Sequence, residues 1–173
     1  MELLPNSIDK NSIAFDVDGV LADTMELILH LVKERTGNDY SLHQFTEYDV
    51  SDCLDISRET AYEIYMDLMS DEYNDWLELI PGAKDVLQKL AVVTDTILLV
   101  TARHQLGGFK EWLCAKLEIP DDKVLMIGTG SFEAKLDVLR EHGKTVMVED
   151  RLETCFTLAE GGLTPLVFVQ PWN

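Results

Sequence analysis

Five short apolar runs that do not alternate with polar residues constrain the fold of this chain more than any other feature. A strand reads as a continuous apolar run when both of its faces are covered, which is typical of parallel sheets. Amphipathic helical patterns separate the later runs, as expected when helices connect parallel strands. The sequence therefore predicts an α/β fold built on a doubly wound parallel sheet. The predicted strands are residues 13–15, 97–100, 124–127, 146–148 and 166–169.

The interval between the first two apolar runs interrupts this pattern. About eighty residues there contain no convincing strand and are rich in tyrosine and acidic residues. Apolar residues at helical spacing predict helices over residues 24–36 and 57–69, and Ser57 is a predicted N-cap. Pro81 and Gly82 mark the return toward the sheet. We therefore expect an α/β core made of residues 1–22 and 82–173, with a small helical cap inserted at residues 23–81.

Two aspartates, Asp16 and Asp18, follow the first apolar run in the stretch Asp16-Val-Asp-Gly-Val-Leu-Ala-Asp23. Residues two apart on an extended chain point the same way, so both carboxylates are expected at the carboxyl end of the first strand. Ligands of open α/β sheets bind at that edge, and Gly19 permits a turn there. A calcium-binding EF-hand loop shares the Asp-x-Asp-Gly pattern, but it needs further oxygen ligands and a later glutamate. The helical pattern that follows here disfavours calcium.

Two further polar signals follow the second and third runs. Thr101 comes directly after the second run, where its hydroxyl is placed to donate a hydrogen bond to a phosphate oxygen, and Arg103 follows closely. Capping of a loop is the alternative role for Thr101. Lys135 lies in the predicted helix after the third run, with Lys123 and Lys144 as rival candidates. A single helical lysine is usually a surface residue, so none of these signals identifies a site by itself.

An acid pair, Glu149 and Asp150, follows the fourth run. Acids at this position repel the pair that follows the first strand unless a cation neutralises them. Oxygen ligands suit Mg²⁺ better than zinc, which prefers histidine and cysteine. The three cysteines are scattered along the chain and have neither a disulfide-framework nor a metal-binding spacing. The sequence therefore predicts a Mg²⁺ site at the carboxyl edge of the sheet.

The order of these motifs along the chain resembles that of the haloacid dehalogenase-like (HAD-like) phosphohydrolase superfamily. The shared series is Asp-x-Asp, threonine, lysine and an acid pair, each at or near the end of a successive strand. That superfamily has a Rossmann-like core and places its first type of cap domain where the helical segment lies here. The resemblance implies a Mg²⁺-dependent phosphomonoester hydrolase that acts through an aspartyl-phosphate intermediate.

The resemblance also implies a role for each motif residue. Asp16 is expected to attack phosphorus as the nucleophile. Asp18 is expected to protonate the leaving oxygen and then to activate water as the general base. The implied metal ligands are Asp16, the backbone carbonyl of Asp18 and Asp150, with Glu149 in the outer shell. The implied phosphate-binding residues are Thr101, Ala102, Arg103 and Lys135.

Within that superfamily the chain resembles the 5′(3′)-deoxyribonucleotidase group and its bacterial relatives. This second resemblance implies a (deoxy)nucleoside monophosphate as the substrate. The group often carries an aromatic residue directly after the first motif, where a nucleobase can stack, whereas this chain has Thr24. The segments that carry the resemblance are residues 16–23, Trp112-Leu113 with Ile119-Pro120, and Phe168-Val-Gln-Pro-Trp-Asn173.

Aromatic residues of the insert are the candidates to replace that missing aromatic. All five tyrosines of the chain lie within it. Tyr65 shares an apolar helical stripe with its neighbours and is expected in the insert's own core. Tyr62 and Met66, at the edge of that stripe, and Phe45 and Tyr48, in the preceding loop, are predicted to face the active site.

Two alternatives to a nucleotidase stay open at this point. One is a phosphatase of the same superfamily whose cap selects a small organic phosphate that is not a nucleotide. The other is a phospho-accepting signalling domain, since receiver domains also combine an α/β sheet with acids, Mg²⁺, a threonine and a lysine. Receiver domains carry their acid pair after the first strand, whereas this chain carries Glu149 and Asp150 late, which favours the enzyme.

The charge balance limits the partners. Lysine and arginine number 14 and aspartate and glutamate 32, which gives a net charge of −18. Such a surface repels phosphate backbones and anionic lipids, so we expect neither nucleic-acid polymers nor membrane surfaces as partners. The first residues lack the basic region of a signal peptide, and no apolar run approaches the ~18 residues of a membrane span. We expect a cytoplasmic protein that binds a small phosphorylated metabolite, and the sequence predicts no oligomeric state.

Overall fold

Five parallel strands form the centre of the protein, whose computed structural model describes residues 8–173. Their order across the sheet is β3-β2-β1-β4-β5, and every neighbouring pair is parallel. The prediction of a doubly wound α/β sheet is therefore confirmed. The strands are β1 (Ile13–Phe15), β2 (Ile97–Thr101), β3 (Val124–Gly128), β4 (Val146–Glu149) and β5 (Thr164–Val167).

Helices cover both faces of this sheet. The α-helices are α1 (Thr24–Thr36), α2 (Val50–Cys53), α3 (Arg58–Leu68), α4 (Ala83–Val93), α5 (Phe109–Leu117), α6 (Lys135–Glu141) and α7 (Leu152–Glu160). Short 3₁₀ helices lie at Lys10–Ser12, Leu42–Gln44, Asp71–Trp76 and Asp121–Lys123. The helix α1 has the predicted bounds, and the side chain of Ser57 caps α3 by accepting a hydrogen bond from the backbone N–H of Thr60 (3.0 Å).

Alternate residues of the strands belong to two separate apolar clusters. Phe15 and Leu99 pack in the larger cluster, which also contains residues of α1, α4 and α5. Ala14, Leu98 and Met147 pack in the smaller one, with α6 and α7. Because successive side chains of a strand point to opposite faces, this division places the two sets of helices on opposite sides of the sheet.

The helical insert (residues 23–81) leaves and rejoins the core at adjacent points. The backbone N–H of Asp23 donates to the carbonyl of Glu78 (2.8 Å), and that of Ile80 donates to the carbonyl of Leu21 (2.8 Å). All of this insert belongs to the described chain, and it contains helices and one antiparallel bridge residue, Leu79, but no strand. Division of the chain into a core domain and a cap domain stays a prediction.

The strand order indicates a ligand-binding crevice at the carboxyl ends of β1 and β4. The chain winds outward from β1 through β2 to β3 and then crosses to β4 on the other side of β1. The crevice at the carboxyl ends of two such strands is where ligands of open α/β sheets bind. Phe15 pairs with Val148, and the N–H of Asp16 donates to the carbonyl of Val148 (2.9 Å). Asp16 therefore lies beside the acid pair that follows β4.

Membrane-spanning helices are not found in the described part of the chain. None of the helices within residues 8–173 has both the length and the apolar character that crossing a bilayer requires. The predicted lack of a signal peptide rests on the first residues of the sequence, and residues 1–7 lie outside the described range.

Candidate active site

Three buried acids meet at the carboxyl ends of β1 and β4. Asp16, Glu149 and Asp150, hereafter the acidic cluster, each offer a carboxylate oxygen within 4.8 Å of the others. The ammonium of Lys135, itself completely buried, lies 2.9 Å from Oδ2 of Asp16 and 2.8 Å from Oε2 of Glu149. One lysine charge cannot balance three carboxylates, so the cluster carries an excess of negative charge when all three are ionised.

The oxygens of Asp150 differ from each other in their surroundings. Oδ2 accepts a hydrogen bond from the indole N–H of Trp172 (2.9 Å). Oδ1 is buried and has no hydrogen-bond partner within residues 8–173. A buried carboxylate oxygen without a partner is costly, and a hard divalent cation is the kind of ligand that removes this cost. The residues present therefore fit a divalent metal.

The pKa values of the cluster follow from burial and crowding of like charges. Burial, followed by repulsion from Glu149, raises the pKa of Asp16 well above its ordinary value, against the attraction of Lys135. Burial and the nearby Asp16 raise the pKa of Asp150 to about 7. Although burial lowers the pKa of Lys135, the Asp16 and Glu149 carboxylates outweigh it and raise that pKa. Lys135 is therefore charged at neutral pH, and the metal-free cluster has a high affinity for protons.

Asp18 lies across the same crevice and is held by four hydrogen bonds. Oδ1 accepts from Thr24 Oγ1 (3.0 Å) and Arg103 Nη2 (2.8 Å). Oδ2 accepts from Thr101 Oγ1 (3.1 Å) and Arg103 Nε (3.1 Å). Burial alone would raise the pKa of Asp18, but the Arg103 guanidinium and these hydrogen bonds lower it below its ordinary value. Asp18 is an ionised carboxylate in this arrangement.

The residues predicted to bind phosphate occupy two kinds of position. Ala102, Arg103 and Lys135 line the cavity above the acidic cluster, whereas Thr101 does not. Thr101 and Arg103 are buried and engage Asp18, and Arg103 also donates from Nη1 to the carbonyl of Leu68 (2.7 Å). The three guanidinium nitrogens of Arg103 thus all have protein partners.

Neither rival lysine reaches the acidic cluster. Lys123 donates to the carbonyl of Thr94 (3.3 Å), and Lys144 donates to the carbonyl of Asn11 (2.6 Å). Lys135 is therefore the lysine that the fold brings to the site.

Gly19 is required by the turn that separates Asp18 from α1. Its φ is +75°, in the left-handed region that favours glycine. A Cβ atom at this position would overlap Oδ2 of Asp150 and approach the Trp172 ring to 3.2 Å. The Asp-x-Asp-Gly pattern thus permits close contact between the turn after β1 and the acid after β4.

A cavity of about 770 Å³ opens above Asp16, Asp18 and Asp150. Its other walls come from α1, the loop before α2, α3 and the loop before α6. The aromatic residues among its lining are Tyr48, Tyr62, Tyr65 and Phe132.

Three positions in the insert differ from the sequence-based predictions. Phe45 was expected to face the active site, but it is completely buried in the larger apolar cluster and does not line the cavity. Its ring has no polar group, so full burial stabilises it most. Tyr65 was expected in the insert's core, yet it is 42% exposed and lines the cavity. Met66 is exposed and lies outside the cavity wall, while Tyr48 and Tyr62 are both part of it.

Two residues of the cavity wall, Phe132 and Arg151, were not predicted from the sequence. The guanidinium of Arg151 lies 4.3 Å from the ring centre of Phe132 and 5.4 Å from that of Tyr48. The two rings contact each other edge to face, with centroids 5.7 Å apart. Arg151 directly follows the acid pair, which was a signal available in the sequence, whereas Phe132 lies in a loop without periodicity.

Comparison with known families identifies the chain. Residues 10–151, well over half of the sequence, match a family described as 5′ nucleotidase, deoxy (pyrimidine), cytosolic type C protein. The chain belongs to this family. It is therefore a HAD-like phosphatase, a hydrolase of phosphoric monoesters, and its resemblance to that superfamily is confirmed. The signalling-domain alternative has no support. Among curated proteins, none matches the sequence significantly.

Solved structures share the fold. A haloacid dehalogenase-like hydrolase from Streptococcus pneumoniae is 16% identical, with a TM-score of 0.62 over 90% of this chain and 82% of that one. A predicted phosphoglycolate phosphatase from Haemophilus somnus is 16% identical, with a TM-score of 0.57 over 96% and 89% of the two chains. A predicted phosphatase from Clostridium acetobutylicum is 15% identical, with a TM-score of 0.58 over 90% and 82%. At these identities the similarity shows the architecture alone.

Proposed function

We propose that the protein is a Mg²⁺-dependent phosphomonoester hydrolase that forms an aspartyl-phosphate on Asp16 and acts on a deoxynucleoside monophosphate. The observation that carries this proposal is the position of the Asp16 carboxylate. It lies at the floor of the cavity, 2.9 Å from the Lys135 ammonium and within 4.8 Å of the Asp150 carboxylate. The proposed nucleophile, a cation and a proposed metal ligand thus face one cavity.

Mg²⁺ would be held by Asp16, Asp150 and the backbone carbonyl of Asp18. The unpartnered Oδ1 of Asp150 supports this assignment. Glu149 belongs to the outer shell, because Oε2 accepts from Lys135 (2.8 Å) and Oε1 accepts from the N–H of Arg151 (3.1 Å). When bound, Mg²⁺ would reduce the repulsion between the Asp16 carboxylate and the phosphoryl oxygens.

Asp16 is oriented for attack on phosphorus. The N–H of Val17 donates to Oδ1 (2.8 Å), and Lys135 lies against Oδ2. In the first step a carboxylate oxygen of Asp16 forms a bond to phosphorus while the bond from phosphorus to the ester oxygen breaks. The Lys135 ammonium offsets the charge of the transferring group.

Asp18 supplies and removes the proton in this scheme. As a carboxylate held by Arg103, it must gain a proton before it can protonate the leaving oxygen. The negative charge of an incoming phosphate favours that change, because a nearby like charge raises the pKa of a carboxyl group. Once deprotonated, Asp18 can accept a proton from the water that hydrolyses the phosphoenzyme.

The cavity walls support a nucleotide as the substrate. Tyr48 and Phe132 contribute adjoining aromatic rings, and Tyr62 and Tyr65 contribute two more from α3. Stacking of a base on such a ring is worth ~1–3 kcal/mol, or roughly ten- to a hundredfold in specificity. The family's own description names deoxy and pyrimidine nucleotidases, which supports the same substrate class here. That description also reads cytosolic, and we extend this location to the chain.

The test compares a deoxynucleoside monophosphate with deoxyribose 5-phosphate, which lacks the base. We expect a kcat/KM ratio of about ten or more in the wild type, falling toward one in Tyr48→Ala and Tyr62→Ala. Met66→Ala is the matched control, since Met66 is an exposed residue of the same helix outside the cavity wall. A wild-type ratio near one would show that the enzyme does not recognise the base. The proposed nucleotide substrate would then be wrong, and a different small organic phosphate would be the substrate.

A further inference from the structure

Residues 170–173, hereafter the QPWN segment, contact both loops that carry the proposed metal ligands. The indole N–H of Trp172 donates to Oδ2 of Asp150 (2.9 Å), and the side-chain amide of Asn173 donates to the backbone carbonyl of Asp150 (2.8 Å). The side-chain amide of Gln170 donates to the carbonyl of Gly19 (2.8 Å), in the turn after Asp18. One short segment thus connects the carboxyl ends of β1 and β4.

The QPWN segment is held in a fixed shape. The N–H of Gln170 donates to the side-chain oxygen of Asn173 (3.1 Å), and the N–H of Asn173 donates to the carbonyl of Gln170 (3.2 Å). Pro171 between them has a restricted φ. The amide of Asn173 also donates to the carbonyl of Phe168 (2.8 Å), and Trp172 is only 8% exposed. The donors that reach Asp150 and Gly19 are therefore preorganised.

The kind of contact that Trp172 makes is suited to a metal ligand. An indole N–H is a neutral donor without acceptor capacity, so it orients a carboxylate without removing its charge. It occupies Oδ2 and leaves Oδ1 as the unpartnered oxygen of Asp150 within the described residues. Glu149 differs, because both of its oxygens are occupied and one of them pairs with Lys135. Residues that bind the far oxygen of a metal ligand commonly set its orientation and affinity.

We infer that the QPWN segment, through Trp172 above all, positions Asp150 for the metal and so sets the Mg²⁺ affinity of the site. This inference rests on the proposed function, because it takes the acidic cluster as the Mg²⁺ site. Trp172 contacts neither substrate nor reacting atoms in this account, and it is a positioning residue rather than a catalytic one.

The variant Trp172→Phe keeps an aromatic ring in place and removes the N–H donor. We expect the Kd for Mg²⁺, measured by isothermal titration calorimetry on the substrate-free protein, to rise about tenfold or more. The Mg²⁺ concentration for half-maximal activity should rise in parallel, while kcat at saturating Mg²⁺ stays near the wild-type value. Trp112→Phe is the matched control, since its indole N–H is buried without a hydrogen-bond partner among residues 8–173.

The outcomes separate the possible failures. A Mg²⁺ Kd within twofold of the wild type would overturn the inference, whether or not Trp172→Phe lowers the Tm of the metal-free protein. If that variant does not fold, Asn173→Ala keeps the indole and removes the donor to the Asp150 carbonyl, and its Kd must also rise. A wild type that binds no Mg²⁺ would contradict the proposed function together with the inference, whereas tight wild-type binding with unchanged variants would contradict the inference alone.

Discussion

Arg103 binds both carboxylate oxygens of Asp18, through Nε to Oδ2 at 3.1 Å and through Nη2 to Oδ1 at 2.8 Å. Its remaining nitrogen, Nη1, donates to the carbonyl of Leu68 at the end of α3 (2.7 Å). The ring of Phe109 lies 3.7 Å from the guanidinium carbon. One buried side chain from the loop after β2 therefore connects the proposed proton-transfer residue to the helical insert.

Removal of this ion pair should destabilise the fold. Arg103→Ala leaves the Asp18 carboxylate and the Leu68 carbonyl without their partner, and we expect a loss of about 3 kcal/mol in the free energy of unfolding. Arg35→Ala is the control, because its ion pairs with Glu63 and Asp67 lie on partly exposed residues and should contribute less than about 1 kcal/mol. Urea denaturation of both variants measures the difference, and equal losses would show that the Arg103 pair is no stronger than a surface pair.

Asp18→Asn should distinguish substrates by their leaving groups. An amide cannot donate the proton that a basic alkoxide needs on departure, whereas an activated aryl oxyanion leaves without it. We expect kcat/KM to fall by more for an alkyl phosphate than for an aryl phosphate. Steady-state kinetics with one substrate of each kind make the comparison. Equal losses on both would limit Asp18 to orientation of the site or to hydrolysis of the phosphoenzyme.

Activity should require Mg²⁺. Treatment with EDTA should abolish turnover, and added Mg²⁺ should restore it, because the proposed metal reduces the repulsion between the Asp16 carboxylate and the phosphoryl oxygens. Ca²⁺ should restore little, since it accepts longer and looser coordination than Mg²⁺. The measurement is the initial rate after chelation and metal addition. Full activity after exhaustive chelation would contradict the metal site.

Mg²⁺ binding should depend on pH through Asp150. Burial and the nearby Asp16 raise its pKa to about 7 in the metal-free protein, above the ordinary 3.8. Between these values the folded state binds the proton more tightly than the unfolded state does, so this group lowers the stability of the metal-free protein as the pH rises through that window. Metal binding below pH 7 must displace this proton together with any proton that Asp16 holds, so the affinity should rise by about tenfold or more per pH unit. A Mg²⁺ Kd that is constant from about pH 5.5 to pH 8 would contradict this assignment.

Most of the sheet could be predicted because burial on both faces leaves its signature in the sequence. The predicted fifth strand, residues 166–169, begins two residues later than the observed β5 (Thr164–Val167), and this difference has a physical reason. The strand β5 pairs with β4 from Thr164 opposite Val146, and Pro165 follows opposite Met147, so its register and not its apolar run determines where it begins. Pro165 is a poor strand signal, because proline cannot donate a hydrogen bond to a neighbouring strand.

The floor of the site was predictable because parallel strands bring the ends of successive motifs to one edge. Asp16, Asp150 and Lys135 meet there in the way that the order of motifs indicates. The cavity wall was less predictable, since the packing of the insert against the core decides which side of α3 faces the cavity. Periodicity locates the apolar stripe that contains Tyr65 but not whether a second domain or a cavity lies opposite. The hydrogen bond from Trp172 to Asp150 joins residues 22 positions apart, and no local sequence pattern indicates it.

The role of Asp16 as nucleophile is tested by the turnover number of Asp16→Asn beside that of the wild type, with Mg²⁺ at saturation. The amide is a poor nucleophile toward phosphorus and a weaker metal ligand. We expect a loss on the order of 10³-fold or more, in a protein whose cooperative unfolding transition shows that it is folded. A variant that kept a tenth or more of the wild-type turnover would contradict covalent catalysis by Asp16.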